Sequence, residues 1–183
     1  GGTSGIGHGI ALSLASKGVD IVIAGRSEKR GAEIVAELNG VAPEGNHTFS
    51  KIDAFDLSAV KALADDHKKR LDFLVMTQSM ATMQGFTPTK DGFDQKMQLH
   101  YFSRVLLAQT LAPTLADAPG GGKVLSVLSA GVHAPFAHYD TDFNLKKKYS
   151  IKNAADAAGF YNDVAFNKLA QENPAINFTH AAP

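Results

Sequence analysis

Gly1-Gly2-Thr3-Ser4-Gly5-Ile6-Gly7 opens the chain, and a helical pattern follows at once, with Ile6, Ile10, Ala11 and Leu14 at helical spacing before Gly18. Glycines let a main chain come close to a phosphate. The helix behind them offers unpaired N–H groups and the positive end of a dipole. The stretch therefore reads as a phosphate-binding turn, with Gly1, Thr3, Ser4, Gly5, Ile6 and Gly7 as its candidate contacts. A purely structural turn is the alternative.

Strands and helices alternate from there on. Val19 to Ala24 is a short β-branched strand, and residues 28–39 read as a helix with Ile34, Val35 and Leu38 inward. His47 to Ile52 is a weaker strand. Asp56 or Ser58 caps a helix carrying Leu57, Val60 and Leu63. Leu71 to Met76 is apolar without alternation, as in a sheet covered on both faces. Residues 91–115 predict one long helix with Met97, Tyr101, Val105 and Leu106 on a stripe, ended by Ala118-Pro119-Gly120-Gly121-Gly122. Val124 to Leu128 is a further buried strand, followed by a loop of about 20 residues. A helix over 153–171 and a strand over Ile176 to Phe178 complete the series.

Five strands separated by helices predict an α/β fold with a doubly wound parallel sheet, in a single domain over residues 1–183. In that order the first strand lies at the centre, between the strands ending at Ala24 and Met76. Here it is missing. The expectation is therefore a fragment of a longer cytoplasmic protein, incomplete at both ends, with a gap or a collapse between those two strands.

Composition narrows the functional classes. The 18 basic and 18 acidic residues give a formal net charge of zero, so nothing marks a nucleic-acid or anionic-membrane partner. Cys is absent, which removes disulfides, thiolate metal sites and a Cys nucleophile. No apolar run approaches the roughly 20 residues that span a bilayer. Asn46-His47-Thr48 and Asn177-Phe178-Thr179 fit a glycosylation pattern and read as chance matches.

The end of the second strand, Ala24-Gly25-Arg26-Ser27, is where a dinucleotide's ribose would fall. A free 2′-hydroxyl is usually met by an acid there, a 2′-phosphate by an arginine. Arg26 is present and no acid is, which favours NADP(H) over NAD(H). Asp53, after the next strand, is a candidate for the adenine amino group, with a capping role as the alternative.

The glycine turn, Gly25-Arg26, the stretch from Asp53 to Val60 and the strand Asp72-Phe73-Leu74-Val75 together resemble the short-chain dehydrogenases/reductases. The helix after Thr89-Lys90-Asp91-Gly92-Phe93 and the strand ending Leu128-Ser129 resemble the branch of retinol dehydrogenases and fungal oxidoreductases. The resemblance implies a Rossmann-type fold, a nicotinamide cofactor and hydride transfer to or from a small or medium apolar carbonyl or alcohol substrate. It implies that Ser129 holds the substrate oxygen and that Tyr161 transfers the proton. The family's lysine, four residues on, is Ala165 here. The family's Asn-Asn-Ala-Gly is Met76-Thr77-Gln78-Ser79, and the helix asparagine of its proton relay is His100, which can relay protons or simply pack. Lys168 lies too far along the helix to replace the lysine, and Tyr149 with Lys152 is a poorer pair.

Without a cationic neighbour only about 0.1% of a tyrosine is ionised at neutral pH. Reduction, which uses the neutral phenol as an acid, is then favoured over oxidation. Two functions follow: an NAD(P)H-dependent oxidoreductase, or a catalytically degenerate nucleotide-binding protein with a regulatory or scaffolding role. A homo-oligomer is compatible with either function. Leu128-Ser129-Ala130-Gly131 lacks the first glycine of a hydrolase elbow. His133, His138, Asp140 and Asp142 read as a solvated loop, and no metal site is assigned. Lys146-Lys147-Lys148 reads as an exposed basic face.

Overall fold

The computed structural model describes residues 1–183, which divide into two compact units, Gly1–Asp53 and Ala54–Pro183. In the first, α1 (Gly5–Ala15) leads to β1 (Val22–Gly25), α2 (Glu28–Val41) and β2 (Thr48–Lys51). The strands pair in parallel, Val22 opposite Thr48 and Gly25 opposite Lys51. Gly7, Ala11 and Ala15 recur at four-residue spacing and form the buried side of α1. Ala11 and Ala15 meet Ile21 and Ile23 before and within β1, and Ile34 and Leu38 of α2. Ser27 caps α2, accepting from the Arg30 N–H at 3.2 Å, which satisfies one of the N–H groups a helix start leaves over.

The second unit holds α3 (Leu57–Asp66), β3 (Phe73–Met76), α4 (Gln95–Met97), a π-helical stretch (Gln98–Phe102), α5 (Ser103–Ala116), β4 (Lys123–Val127), α6 (Ile151–Glu172) and β5 (Asn177–Ala181). Its sheet runs β3-β4-β5, all parallel, with Met76 opposite Ser126 and Val127 opposite Ala181. Asp56, not Ser58, caps α3, accepting from the N–H groups of Ser58 and Ala59.

The five expected strands are present, each within a few residues of its predicted bounds, and every pairing among them within a unit is parallel. They form two ladders, one per unit. β1 pairs only with β2, and β3 only with β4. Residues 1–4, ahead of α1, form no strand.

Two expectations are corrected. The helix predicted over 91–115 begins at Gln95, where Asp94 accepts from the Lys96 N–H at 2.9 Å. The π-helical stretch then shifts the phase of the helix behind it, because it adds a residue to one turn. The buried face of α5 consequently runs through Ser103, Arg104, Leu107, Ala108, Leu111, Ala112 and Leu115, while Val105 and Leu106 are only partly buried.

The loop over 129–150 is likewise more ordered than a solvated segment. Phe136 and Leu145 are buried within a cluster completed by Met97, Ala154, Ala157, Ala158 and Tyr161. The Asp142 carboxylate is buried too and accepts from the backbone N–H groups of Lys146, Lys147 and Lys148 at 2.8–3.2 Å. The three lysine side chains face solvent, but their backbone winds around this carboxylate.

Candidate active site

In the first unit the glycine turn enters α1 through Ser4, whose backbone is extended and whose side chain makes no capping bond. Gly5 follows at φ +54°, a conformation that glycine adopts without steric penalty. A β-carbon at Gly5 would have nothing within 4 Å, so the turn is open on that side. Gly1, Ser4, Gly5 and Ile6 are exposed, and the Gly7 backbone is buried against the core. The Arg30 side chain donates from Nε to the Thr3 carbonyl at 3.1 Å and holds the turn to α2. Arg26 stands exposed just past β1, and Asp53 is exposed after β2. An open turn, uncapped N–H groups and a nearby exposed cation suit an anionic dinucleotide.

In the second unit a buried arginine fixes the ends of two strands. Arg104 of α5 donates from Nη1 to the Met76 carbonyl at 3.3 Å, the Ser126 hydroxyl at 2.6 Å and the Val127 carbonyl at 3.1 Å. Its Nη2 donates to the Gln78 carbonyl at 2.5 Å. Burial pushes the guanidinium down to about 10. This one side chain ties the stretch Met76-Thr77-Gln78-Ser79 to the end of β4, from which Ser129 projects.

His100 lies in the π-helical stretch. Its Nε2 accepts from the Met80 N–H at 3.1 Å, so the proton of the neutral ring is on Nδ1. Burial, helped by the cations Arg104 and Lys96, pushes the imidazole down to about 4. The nitrogen a relay would use is thus held by a backbone donor.

Helix α6 presents two different faces. Gly159 lies beneath Ser129 and His133: a β-carbon there would stand 3.0 Å from Ser129 Oγ and 2.5 Å from His133 Cδ2. Asp156 and Asp163 flank it on the same side at helical spacing. Asp156 Oδ1 is 3.0 Å from His133 Nδ1, and its other oxygen pairs with Lys152. Asp163 accepts from the Gly131 N–H at 3.1 Å and pairs with His180 Nδ1 at 2.6 Å, while His180 Nε2 accepts from the Ser129 N–H at 3.4 Å. Ser129 is therefore gripped through its backbone by β5 and α6, with its hydroxyl against Gly159.

Tyr161 looks elsewhere. Two residues past Gly159, it is turned by roughly 200° around the helix. Its ring stacks on Phe143 at 4.4 Å and meets Tyr101 edge-on at 5.3 Å. Its hydroxyl donates to the Phe143 carbonyl at 3.5 Å. Burial, then the neighbouring Tyr101 and Asp142, push the phenol up to about 12. The structure brings Ser129 together with His133, Asp156 and Gly159, and does not bring Tyr161 onto that face. Of the other tyrosine–lysine pairing, Tyr149 accepts from Lys96 Nζ at 2.8 Å while Lys152 turns to Asp156. The sequence signal for this face was the spacing of Asp156, Gly159 and Asp163, with a glycine in mid-helix.

Residues 1–141 match the short chain dehydrogenase family profile, and the chain belongs to that family. It is 31% identical over its whole length to an oxidoreductase of Emericella nidulans, of which it covers 56%. It is 28% identical, over 72% of its length, to a polyprenol dehydrogenase of Mus musculus, covering 40% of that protein. The chain thus spans about half the length of the curated relatives it matches. A short-chain dehydrogenase from Sphingobium yanoikuyae, solved in complex with NADPH, superposes with a TM-score of 0.78 at 21% identity, over all of this chain and 68% of that one. No helix is long and apolar enough to cross a membrane.

Proposed function

We propose that the protein is an NADP(H)-dependent oxidoreductase that reduces a small or medium apolar carbonyl compound, or oxidises the matching alcohol. The observation that carries the reading is the open glycine turn into α1, with Gly5 in the left-handed region and the helix start uncapped, in a member of the short-chain dehydrogenase family. Gly1, Thr3, Ser4, Gly5, Ile6 and Gly7 would hold the pyrophosphate through the backbone, with Arg26 at the 2′-phosphate and Asp53 at the adenine. The bound nicotinamide would supply the hydride. Ser129 would donate a hydrogen bond to the substrate oxygen.

The apolar substrate class is supported by the name of the murine polyprenol dehydrogenase. The preference for NADP(H) is supported by Arg26 and by the NADPH bound to the Sphingobium protein. Titration of the full-length protein with NADPH and NADH, followed by NADPH consumption with a panel of ketones and quinones, tests both. Tight NADPH binding and turnover of an apolar ketone are expected.

A second reading, a nucleotide-binding protein without turnover, is favoured by one observation. The tyrosine that the resemblance marks for proton transfer, Tyr161, bonds to the Phe143 carbonyl, and Ala165 stands where its lysine would be. NADPH binding without consumption across the panel is its expected signature.

A further inference from the structure

We propose that the proton donor and acceptor beside Ser129 is His133, set by Asp156, and not a tyrosine. The inference rests on the oxidoreductase reading above and names the acid–base group of that site.

The geometry is local to one helix face. Gly159 has no side chain, and both the Ser129 hydroxyl and the His133 ring occupy the space that one would fill. A group that is to share a carbonyl oxygen with Ser129 must lie near that hydroxyl, and the His133 ring lies against the same glycine as the Ser129 hydroxyl. Tyr161 is on the far side of the helix, with its phenol committed to Phe143. The His100 ring is committed to Met80.

His133 is also oriented. Its Nδ1 faces the Asp156 carboxylate at 3.0 Å, so Nδ1 carries a proton and Nε2 is the nitrogen left for chemistry. Lys152, with help from His133, holds the Asp156 carboxyl below the usual carboxylate range, so it stays ionised. The charged groups around the ring are Asp156 and Lys152 on the first turns of α6, with Asp163 two turns on, paired to His180. The His133 side chain is 23% exposed, enough to exchange its proton with water between turnovers.

A bound dihydronicotinamide would supply the hydride for the new C–H bond at the carbonyl carbon. The C=O π pair moves to oxygen, and that oxygen takes the proton from Nε2 of the His133 imidazolium. The carbonyl compound would be reduced to the alcohol at the expense of the dihydronicotinamide, and the neutral imidazole regains a proton from solvent. In oxidation Nε2 accepts the alcohol proton.

The test uses the full-length protein and three variants, His133→Gln, Asp156→Ala and Tyr161→Phe. A positioned general acid contributes about 100- to 10,000-fold. His133→Gln is expected to lower kcat for ketone reduction at least 100-fold, with NADPH affinity within twofold and the thermal midpoint nearly unchanged. Tyr161→Phe is expected to change kcat less than threefold. Imidazole nitrogen NMR is expected to show His133 as the Nδ1–H tautomer in the parent and a mixture in Asp156→Ala. Turnover that survives His133→Gln, or collapses in Tyr161→Phe with the fold intact, overturns the role of His133 and leaves the oxidoreductase reading standing. A His133 tautomer indifferent to Asp156→Ala overturns it too. A parent protein that binds no NADPH and reduces no carbonyl compound overturns both readings.

Discussion

Asn162 Nδ2 donates to the His100 carbonyl oxygen at 2.8 Å and so ties α6 to the π-helical stretch. The same nitrogen donates to the Ala158 carbonyl at 2.7 Å, one turn back on its own helix. The side chain is fully buried, and its Oδ1 has no hydrogen-bonding partner. A side chain in this state joins the two segments that carry His100 and Gly159.

Asn162→Ala is expected to destabilise the protein by about 1–3 kcal/mol, because the His100 carbonyl then stays buried with one partner fewer. Urea unfolding followed by circular dichroism measures this. A loss well below that range would show that the bond contributes little net stability.

Stability is expected to fall as the pH drops from about 6.5 toward 4. The folded protein holds His100 at about 4, against an ordinary value near 6.5. Between these values the unfolded chain binds the proton and the folded one does not, so unfolding is favoured by acid. The loss is on the order of 2–3 kcal/mol across that window. Thermal midpoints measured over this range in the parent and in His100→Gln check it, the variant giving the flatter curve.

Gly159→Ala is expected to leave α6 intact and to damage function. Alanine is the better helix former by about 1 kcal/mol. Its methyl would nevertheless fall 2.5 Å from His133 Cδ2 and 3.0 Å from Ser129 Oγ. The ring must move, so ketone reduction is expected to drop at least tenfold at near-constant helicity. Full activity in this variant would show that the His133 position is not needed.

Arg26→Asp is expected to raise the NADPH dissociation constant at least tenfold and to change that for NADH little. The substitution sets a carboxylate against a 2′-phosphate. Fluorescence titration of each cofactor measures both constants. Equal weakening for the two cofactors would remove Arg26 from the phosphate site.

Local chemistry settled much of this protein. The order of strands and helices, the parallel α/β class, the glycine turn before α1 and the Asp56 cap are written in neighbouring residues, through apolar periodicity and the side chains that cap helix ends. The family resemblance rests on the same stretches. What neighbouring residues could not convey is phase and pairing over distance. The π-helical stretch adds a residue to one turn, so the buried stripe beyond it is not the one that continuous helical spacing selects. Only the packing of α6 under the end of β4 decides that Gly159, and not Tyr161, lies below Ser129. His133 and Asp156 are 23 residues apart and meet because the loop folds back on that helix. A cation such as Arg104 reads as a surface residue until two strand ends supply the oxygens that hold it. Each of these depends on distances through space, which hydrophobic periodicity along the chain does not encode.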